Sequence, residues 1–236
     1  MLLKAITFAL IPALIIQGNR VKKSTLRLDE PIGDRQGRNG LGNPLSILIL
    51  GDSAAAGVGV SHQNDALRGK LVTALQVQYQ VTWALHAKTG HSTSQVIRSL
   101  KDFPEQHFDV VLTSVGVNDV TKLMSANVWI KQQQKLYANI SEKFNPQLVI
   151  ATGVPPMHLF PALPNPLAWL LGQYAKKMNI QLEKMVAQKP NMDWIEYDIQ
   201  TYQTLNLTMA KDGFHPSKDI YELWAEQVVE KIRLKF

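Results

Sequence analysis

At 236 residues, with 45% hydrophobic and 19% charged, the chain can bury one sizeable core, and its composition excludes an intrinsically disordered protein. It has no cysteine, which excludes disulfides, thiolate metal sites and a cysteine nucleophile. Its formal charge of +6 is uneven: residues 1–40 hold seven Lys/Arg against three Asp/Glu and the rest 18 against 16, which disfavours a basic nucleic-acid face on the main domain.

The chain opens MLLKAITFALIPALIIQGNRVKKSTLR. The uncharged apolar stretch at 5–16 contains Pro12 and falls short of the roughly 20 residues that a spanning helix needs. With Lys4 before it and Arg20, Lys22, Lys23 and Arg27 after it, three readings stay open. The segment is an arm that contacts an anionic membrane surface through residues 1–27, the core of a signal peptide, or a helix packed on the domain. The basic cluster favours the first, and with it a membrane-associated protein; secreted, periplasmic and cytoplasmic locations stay open. Residues 28–44, LDEPIGDRQGRNGLGNP, read as a linker or surface loop. The expected division is therefore an arm at 1–44 and a main domain at 45–236.

From residue 46 short apolar runs alternate with segments of helical period. Strands are expected at 46–50, 81–86, 108–114, 147–152 and 193–197. Between and after them, helical stripes run through Leu67, Leu71 and Leu75, through Val96, Ile97 and Leu100, and through Trp129, Leu136, Ile140 and Phe144. Two more run through Leu167, Leu170, Leu171, Tyr174 and Met178, and through Ile220, Trp224, Val228 and Ile232. Five such alternations predict an α/β fold with one parallel sheet of about five strands and helices on both faces. In such a sheet, chemistry gathers in the loops at the carboxyl ends of the strands.

Each expected strand is followed by a polar or glycine-containing element. In order these are GDSAAAG (51–57), KTG (88–90), GVND (116–119), GVPPMHLFPALPNP (153–166) and DGFHP (212–216). Together they supply the parts of acyl transfer. Ser53 offers a hydroxyl, and Asp212 and His215, three residues apart, offer an oriented base. The Ser53 N–H, a close-approaching N–H at Gly90 and the Asn118 amide offer donors to an oxyanion. Taken singly, each residue has a plainer role: a cap for Ser53, a turn for Asn118 and Asp119, a helix start for His215. Asp119 is expected only to hold its loop, and Asp52 to brace the turn. The stretch 155–166 is too apolar for an idle loop. Met157, Phe160 and Leu163, with Leu159 and Trp169 nearby, are expected either to line an acyl-binding cleft or to pack beneath the loop.

Ser53, Gly90, Asn118 and His215, in this order, resemble the four signature residues of the SGNH hydrolases, also called the GDSL family. GDSAAAG resembles the nucleophile block, with alanine after Ser53 where the family usually has leucine; GVND and DGFHP match two later blocks. The resemblance runs from residue 47 to about 224 and leaves the arm outside. It implies a three-layer α/β/α, flavodoxin-like fold and hydrolysis of esters or thioesters without metal or other cofactor. It implies the roles already named for Ser53, His215, Asp212, Gly90 and Asn118, with a small-molecule or lipid-like acyl ester as substrate. Short to medium acyl chains are expected, because no large lid is evident. The alternative on the same site is removal of O-acetyl groups from a polysaccharide. A metal-dependent phosphoesterase lacks the dense set of carboxylates and histidines that two metals need. A non-catalytic module, including a nucleotide binder, has no need of the full serine–histidine–aspartate set, and G-x-x-x-x-G-K-[ST] is absent.

Overall fold

The computed structural model describes residues 2–197 and 199–236, apart from the side chains of Leu2 and Lys4, so the charge read at Lys4 lies outside the described residues. In chain order the elements are α1 (Leu2–Ser24), β1 (Gln36–Asn39), β2 (Asn43–Gly51), α2 (Ser53–Ala56), α3 (Leu67–Leu75), β3 (Tyr79–Ala87), α4 (Thr93–Ser99) and β4 (Val110–Ser114). They continue with α5 (Val117–Thr121), α6 (Ala126–Phe144), β5 (Leu148–Thr152), α7 (Leu167–Val186), β6 (Met192–Ile195), α8 (Ile199–Thr204) and α9 (Lys218–Lys235).

Among the described residues the strands form one sheet in the order β1-β3-β2-β4-β5-β6, parallel except for β1. Without β1 this is the flavodoxin-like order, in which the chain leaves β2 for β3 on one side and then crosses to β4 on the other. That reversal opens a crevice at the carboxyl ends of β2 and β4. Successive side chains on a strand face opposite ways, so each central strand feeds two cores. Leu45, Ile47 and Ile49 of β2 join Leu67, Leu71 and Leu75 of α3 and Trp224, Val228 and Ile232 of α9. Leu48 and Leu50 join the apolar stripes of α4, α6 and α7 on the other face. The result is the expected three-layer α/β/α sandwich. Each fully buried Leu or Ile contributes about 1.5–3 kcal/mol by leaving water.

β1 is an addition to the five expected strands, taken from a segment read as linker, and the boundary expected at residue 44 falls inside β2. QGRN has no apolar alternation because an edge strand can be held by its backbone. It pairs antiparallel with β3 from Gln36↔Ala84 to Asn39↔Val81. Gly37 permits the close approach: a Cβ there would sit 2.6 Å from Cζ2 of Trp83, whose Nε1 donates to Asn39 Oδ1 at 2.9 Å.

α1 packs on α7. Leu14 is buried there, and Leu3, Leu10 and Val21 adjoin the same core. The Thr7 and Tyr174 hydroxyls lie 3.3 Å apart. The Gln17 amide donates to Asn165 O at 2.7 Å and accepts from Leu167 N at 3.0 Å. The opposite side stays apolar and exposed, with Phe8 at 74% and Ile16 at 69% of full accessibility. Packing on the domain and contact with a further surface are therefore compatible.

Candidate active site

β2 ends at the crevice, and its last residue must be glycine. A Cβ on Gly51 would sit 2.1 Å from the Ser114 carbonyl of β4. Asp52 then turns the chain: its N–H donates to Ser114 O at 3.0 Å, and its Oδ1 accepts from Ala54 N at 3.1 Å, capping α2. Ser53 is therefore the first residue of a four-residue helix closed by Gly57, whose φ of +96° suits glycine. Tyr221 of α9 braces this turn from beneath, its hydroxyl lying 2.7 Å from Val58 O and 3.0 Å from Ala54 O.

The segment 210–216 brings His215 to Ser53. Ala210 N donates to His215 O at 2.9 Å, which closes the loop. Asp212 Oδ1 accepts from the backbone N–H groups of Phe214 and His215, both at 3.0 Å. Its Oδ2 pairs with His215 Nδ1 at 2.5 Å, and His215 Nε2 lies 2.9 Å from Ser53 Oγ. The three residues thus form one continuous chain of hydrogen bonds, although 159 residues separate Ser53 from Asp212. The Asp212 side chain is 1% exposed and that of His215 17%. Burial alone would raise the Asp212 pKa, but hydrogen bonds from the His215 ring and from the His215 and Phe214 backbone outweigh it, so the carboxyl titrates below its usual range.

Asp52 behaves in the opposite way. Desolvation, reinforced by the nearby Asp119 carboxylate, lifts its pKa to about 7 against the hydrogen bond from Ala54. Asp119 is fully buried. Its Oδ2 accepts from Thr93 N at 2.9 Å and Thr93 Oγ1 at 2.8 Å, and that hydroxyl in turn accepts from Trp129 Nε1 and Gln133 Nε2. Asp119 therefore ties α5 to the start of α4.

Gly90 and Asn118 follow β3 and β4, the two strands that flank β2. Gly90 has φ +81°, in a turn closed by His91 N donating to Lys88 O at 3.2 Å. Asn118 Nδ2 donates to His91 O at 3.0 Å, so one of its two amide hydrogens joins the Gly90 turn to α5.

Beside Ser53 and His215 lies a cavity of about 690 Å³, walled by Val154, Leu159, Phe160, Tyr202, Leu207 and Phe214. The Phe160 and Phe214 rings meet edge to face at 5.1 Å. Of Met157, Phe160 and Leu163, only Phe160 lines this cavity. Met157 is fully buried in the core, and Leu163 packs against that core outside the cavity lining. The 3-10 turn at Met157–Leu159 sends consecutive side chains in different directions, so Met157 points in and Leu159 out. Trp169, on α7, is 40% exposed and also lies outside the lining. A further part of the lining comes from residues 197 and 199–209, including α8, a helix that is not among the expected elements. Its signal was the apolar and aromatic content of YDIQTYQTLNLTM.

The GDSL-like Lipase/Acylhydrolase family matches residues 49–223. No curated protein matches the sequence. Among solved structures, a lipolytic protein of the G-D-S-L family from Veillonella parvula superposes with a TM-score of 0.63 at 17% identity, covering 79% of this chain and 97% of its own. Axe2, an acetylxylan esterase from Geobacillus stearothermophilus, gives 0.61 at 14% identity, covering 81% and 95%. The psychrotrophic esterase EstA from Pseudoalteromonas sp. gives 0.58 at 18%, covering 80% and 96%. At these identities the likenesses establish the fold, while the family match spans most of the chain. The chain belongs to the GDSL-like lipase/acylhydrolase family and is a serine ester hydrolase.

Proposed function

We propose that Ser53 is the nucleophile of a metal-independent hydrolysis of acyl esters, with His215 as base and then acid and Asp212 orienting it. Ser53 Oγ attacks the ester carbonyl carbon as His215 Nε2 takes its proton. The tetrahedral oxyanion is held by the Ser53 and Gly90 N–H groups and the free Asn118 amide hydrogen. Collapse expels the alcohol, which leaves with the proton from Nε2. Water then attacks the acyl-serine as His215 again takes the proton, and collapse releases the acid while Nε2 returns that proton to Ser53 Oγ. The observation that carries this reading is the Ser53–His215–Asp212 chain, at 2.9 and 2.5 Å, on the edge of an apolar cavity.

The preferred substrates are esters of short to medium acyl chains. In support, 690 Å³ lies in the range of about 300–1,000 Å³ usual for small-molecule sites, and the aromatic residues Phe160 and Tyr202 both line the space. The test is hydrolysis of p-nitrophenyl acetate, butyrate and octanoate by wild type and Ser53→Ala, with and without EDTA. The expected result is loss of activity in Ser53→Ala, no effect of EDTA and a preference for butyrate or octanoate. Equal activity of the two proteins would remove Ser53 from the mechanism. Activity confined to acetate would move the reading to O-acetyl removal.

The same reading places the outward face of α1 on an anionic lipid surface. Phe8, Ile11, Ile15 and Ile16 are exposed there, and Arg20, Lys22, Lys23 and Arg27, also exposed, follow them. Among the described residues no helix is long and apolar enough to cross a membrane, so the contact is with the surface.

A further inference from the structure

An oxyanion donor works only if it is fixed in place before charge develops. Gly90 is poorly equipped to fix itself. Its φ is +81°, and a Cβ built on it meets nothing within 4 Å, so side-chain packing does not hold the turn. Among the described residues its N–H has no hydrogen-bond acceptor, which leaves it free for a substrate oxygen.

The peptide units before it are held one by one. The Ala87 carbonyl accepts from Arg35 Nη2. Lys88 N donates to the Gly51 carbonyl at 3.2 Å, which ties the turn to the end of β2, two residues before Ser53. Thr89 N and Thr89 Oγ1 both donate to Glu30 Oε1, each at 2.7 Å. Glu30 is fixed in turn by Arg35, whose Nη1 lies 2.9 Å from Oε2. Its neighbours are anchored as well: Pro31 is buried against the Gly57 turn, and Ile32 exchanges hydrogen bonds with residues 61–63 at 3.1 and 2.9 Å. The segment at 30–35 therefore bridges the nucleophile turn and the Gly90 turn from outside the region that carries the family motifs.

We propose that Glu30 is a positioning residue for ester hydrolysis: its carboxylate, steered by Arg35, clamps Thr89 and so holds the adjacent Gly90 N–H aimed at the oxyanion. This rests on the oxyanion role of Gly90 proposed above. A carboxylate suits the task because one oxygen accepts both Thr89 donors while the other keeps the guanidinium, and charge-assisted bonds of this kind are shorter and stronger than neutral ones. Those bonds and Arg35 hold the Glu30 pKa below its usual value against the desolvation that would raise it, so the clamp stays charged across the neutral range.

The experiment compares wild type, Glu30→Ala, Glu30→Gln, Thr89→Val and the Glu30→Ala/Thr89→Val double variant. It measures kcat and KM on p-nitrophenyl butyrate, thermal midpoint, and backbone hydrogen exchange of the peptide that spans 87–92. Glu30→Ala is expected to lower kcat by roughly 10- to 100-fold with little change in KM, because a misplaced donor is felt mainly in the transition state. Exchange at 87–92 should accelerate. Glu30→Gln, whose amide oxygen still accepts from Thr89, should recover most of the activity. Thr89→Val should add little in the Glu30→Ala background. Unchanged exchange in Glu30→Ala would show that no clamp exists. Faster exchange with unchanged kcat would show that the clamp holds a turn that takes no part in catalysis, which overturns the role given to Gly90 while leaving Ser53 untouched. A fall in kcat matched by lost thermal stability and not recovered by Glu30→Gln would reduce Glu30 to a structural residue.

Discussion

Two carboxylates flank the site, and their environments push them apart. Asp212 accepts three hydrogen bonds and titrates low, as the role proposed for it beside His215 requires. Asp52, beside Ser53, accepts from Ala54 N, but its burial and the nearby Asp119 carboxylate push its pKa to about 7. The consequence appears in stability. Unfolded, Asp52 loses its proton near 3.8, whereas the folded chain retains it to about 7. Between those values the native state binds more protons, so stability falls as pH rises. Asp52→Asn keeps the cap oxygen and removes the ionisation. The thermal midpoint of Asp52→Asn relative to wild type is therefore expected to rise between pH 4 and pH 8; a constant difference would show that Asp52 titrates normally. At this scale the sequence was informative, because Gly51, Asp52 and Ser53 are adjacent, as are Asp212 and His215 within one turn. Glu30 was not legible, since its partner Thr89 lies 59 residues away.

At the scale of elements, the cleft is a product of two loops with different histories. The 155–166 loop declared itself by its apolar content, yet a 3-10 turn decided that Met157 goes to the core while Leu159 and Phe160 face the cavity. Another part of the wall, α8 and its flanks, carries Tyr202 and Leu207. Tyr202→Ala opens that wall without touching the Ser53–His215–Asp212 chain. The expected effect is a fall of roughly tenfold in kcat/KM for p-nitrophenyl octanoate, with a smaller change for acetate, because apolar pocket contacts discriminate by chain length. An equal loss on both esters would mean that Tyr202 supports the fold and not the acyl chain. α8 escaped the sequence reading because six residues are too few for a helical period to stand out.

For the whole molecule, the doubly covered sheet explains why α1 has an uncovered side. α4, α6 and α7 already close one face of the sheet, so α1 packs outside them and only part of its circumference finds apolar partners. The proposed partner of the remainder is a lipid surface, and the exposed basic residues after it would select an anionic one. Sedimentation with phosphatidylcholine vesicles, with and without phosphatidylglycerol, is expected to bring the protein down only with the anionic lipid. Release by salt and weakening in Phe8→Ser/Ile15→Ser should accompany it. Lack of binding to either vesicle, or dimerisation in solution that buries the same face, would overturn the assignment.

The sequence by itself determined the alternation of strands and helices, and with it the parallel α/β sheet. Periods of 2 and 3.6 are written locally, and a strand covered on both faces needs a continuous apolar run such as 46–50. It also determined the order of the short motifs at the strand ends, because turns, caps and the Asp212–His215 pair are local chemistry. Only the tertiary structure decided what depends on partners far apart in the chain. The pairing of β1 with β3 rests on backbone hydrogen bonds that no side-chain pattern announces. The inward turn of Met157, the cleft wall from α8 and the clamp of Glu30 on Thr89 are likewise set by packing and hydrogen bonds that exist only once distant segments meet.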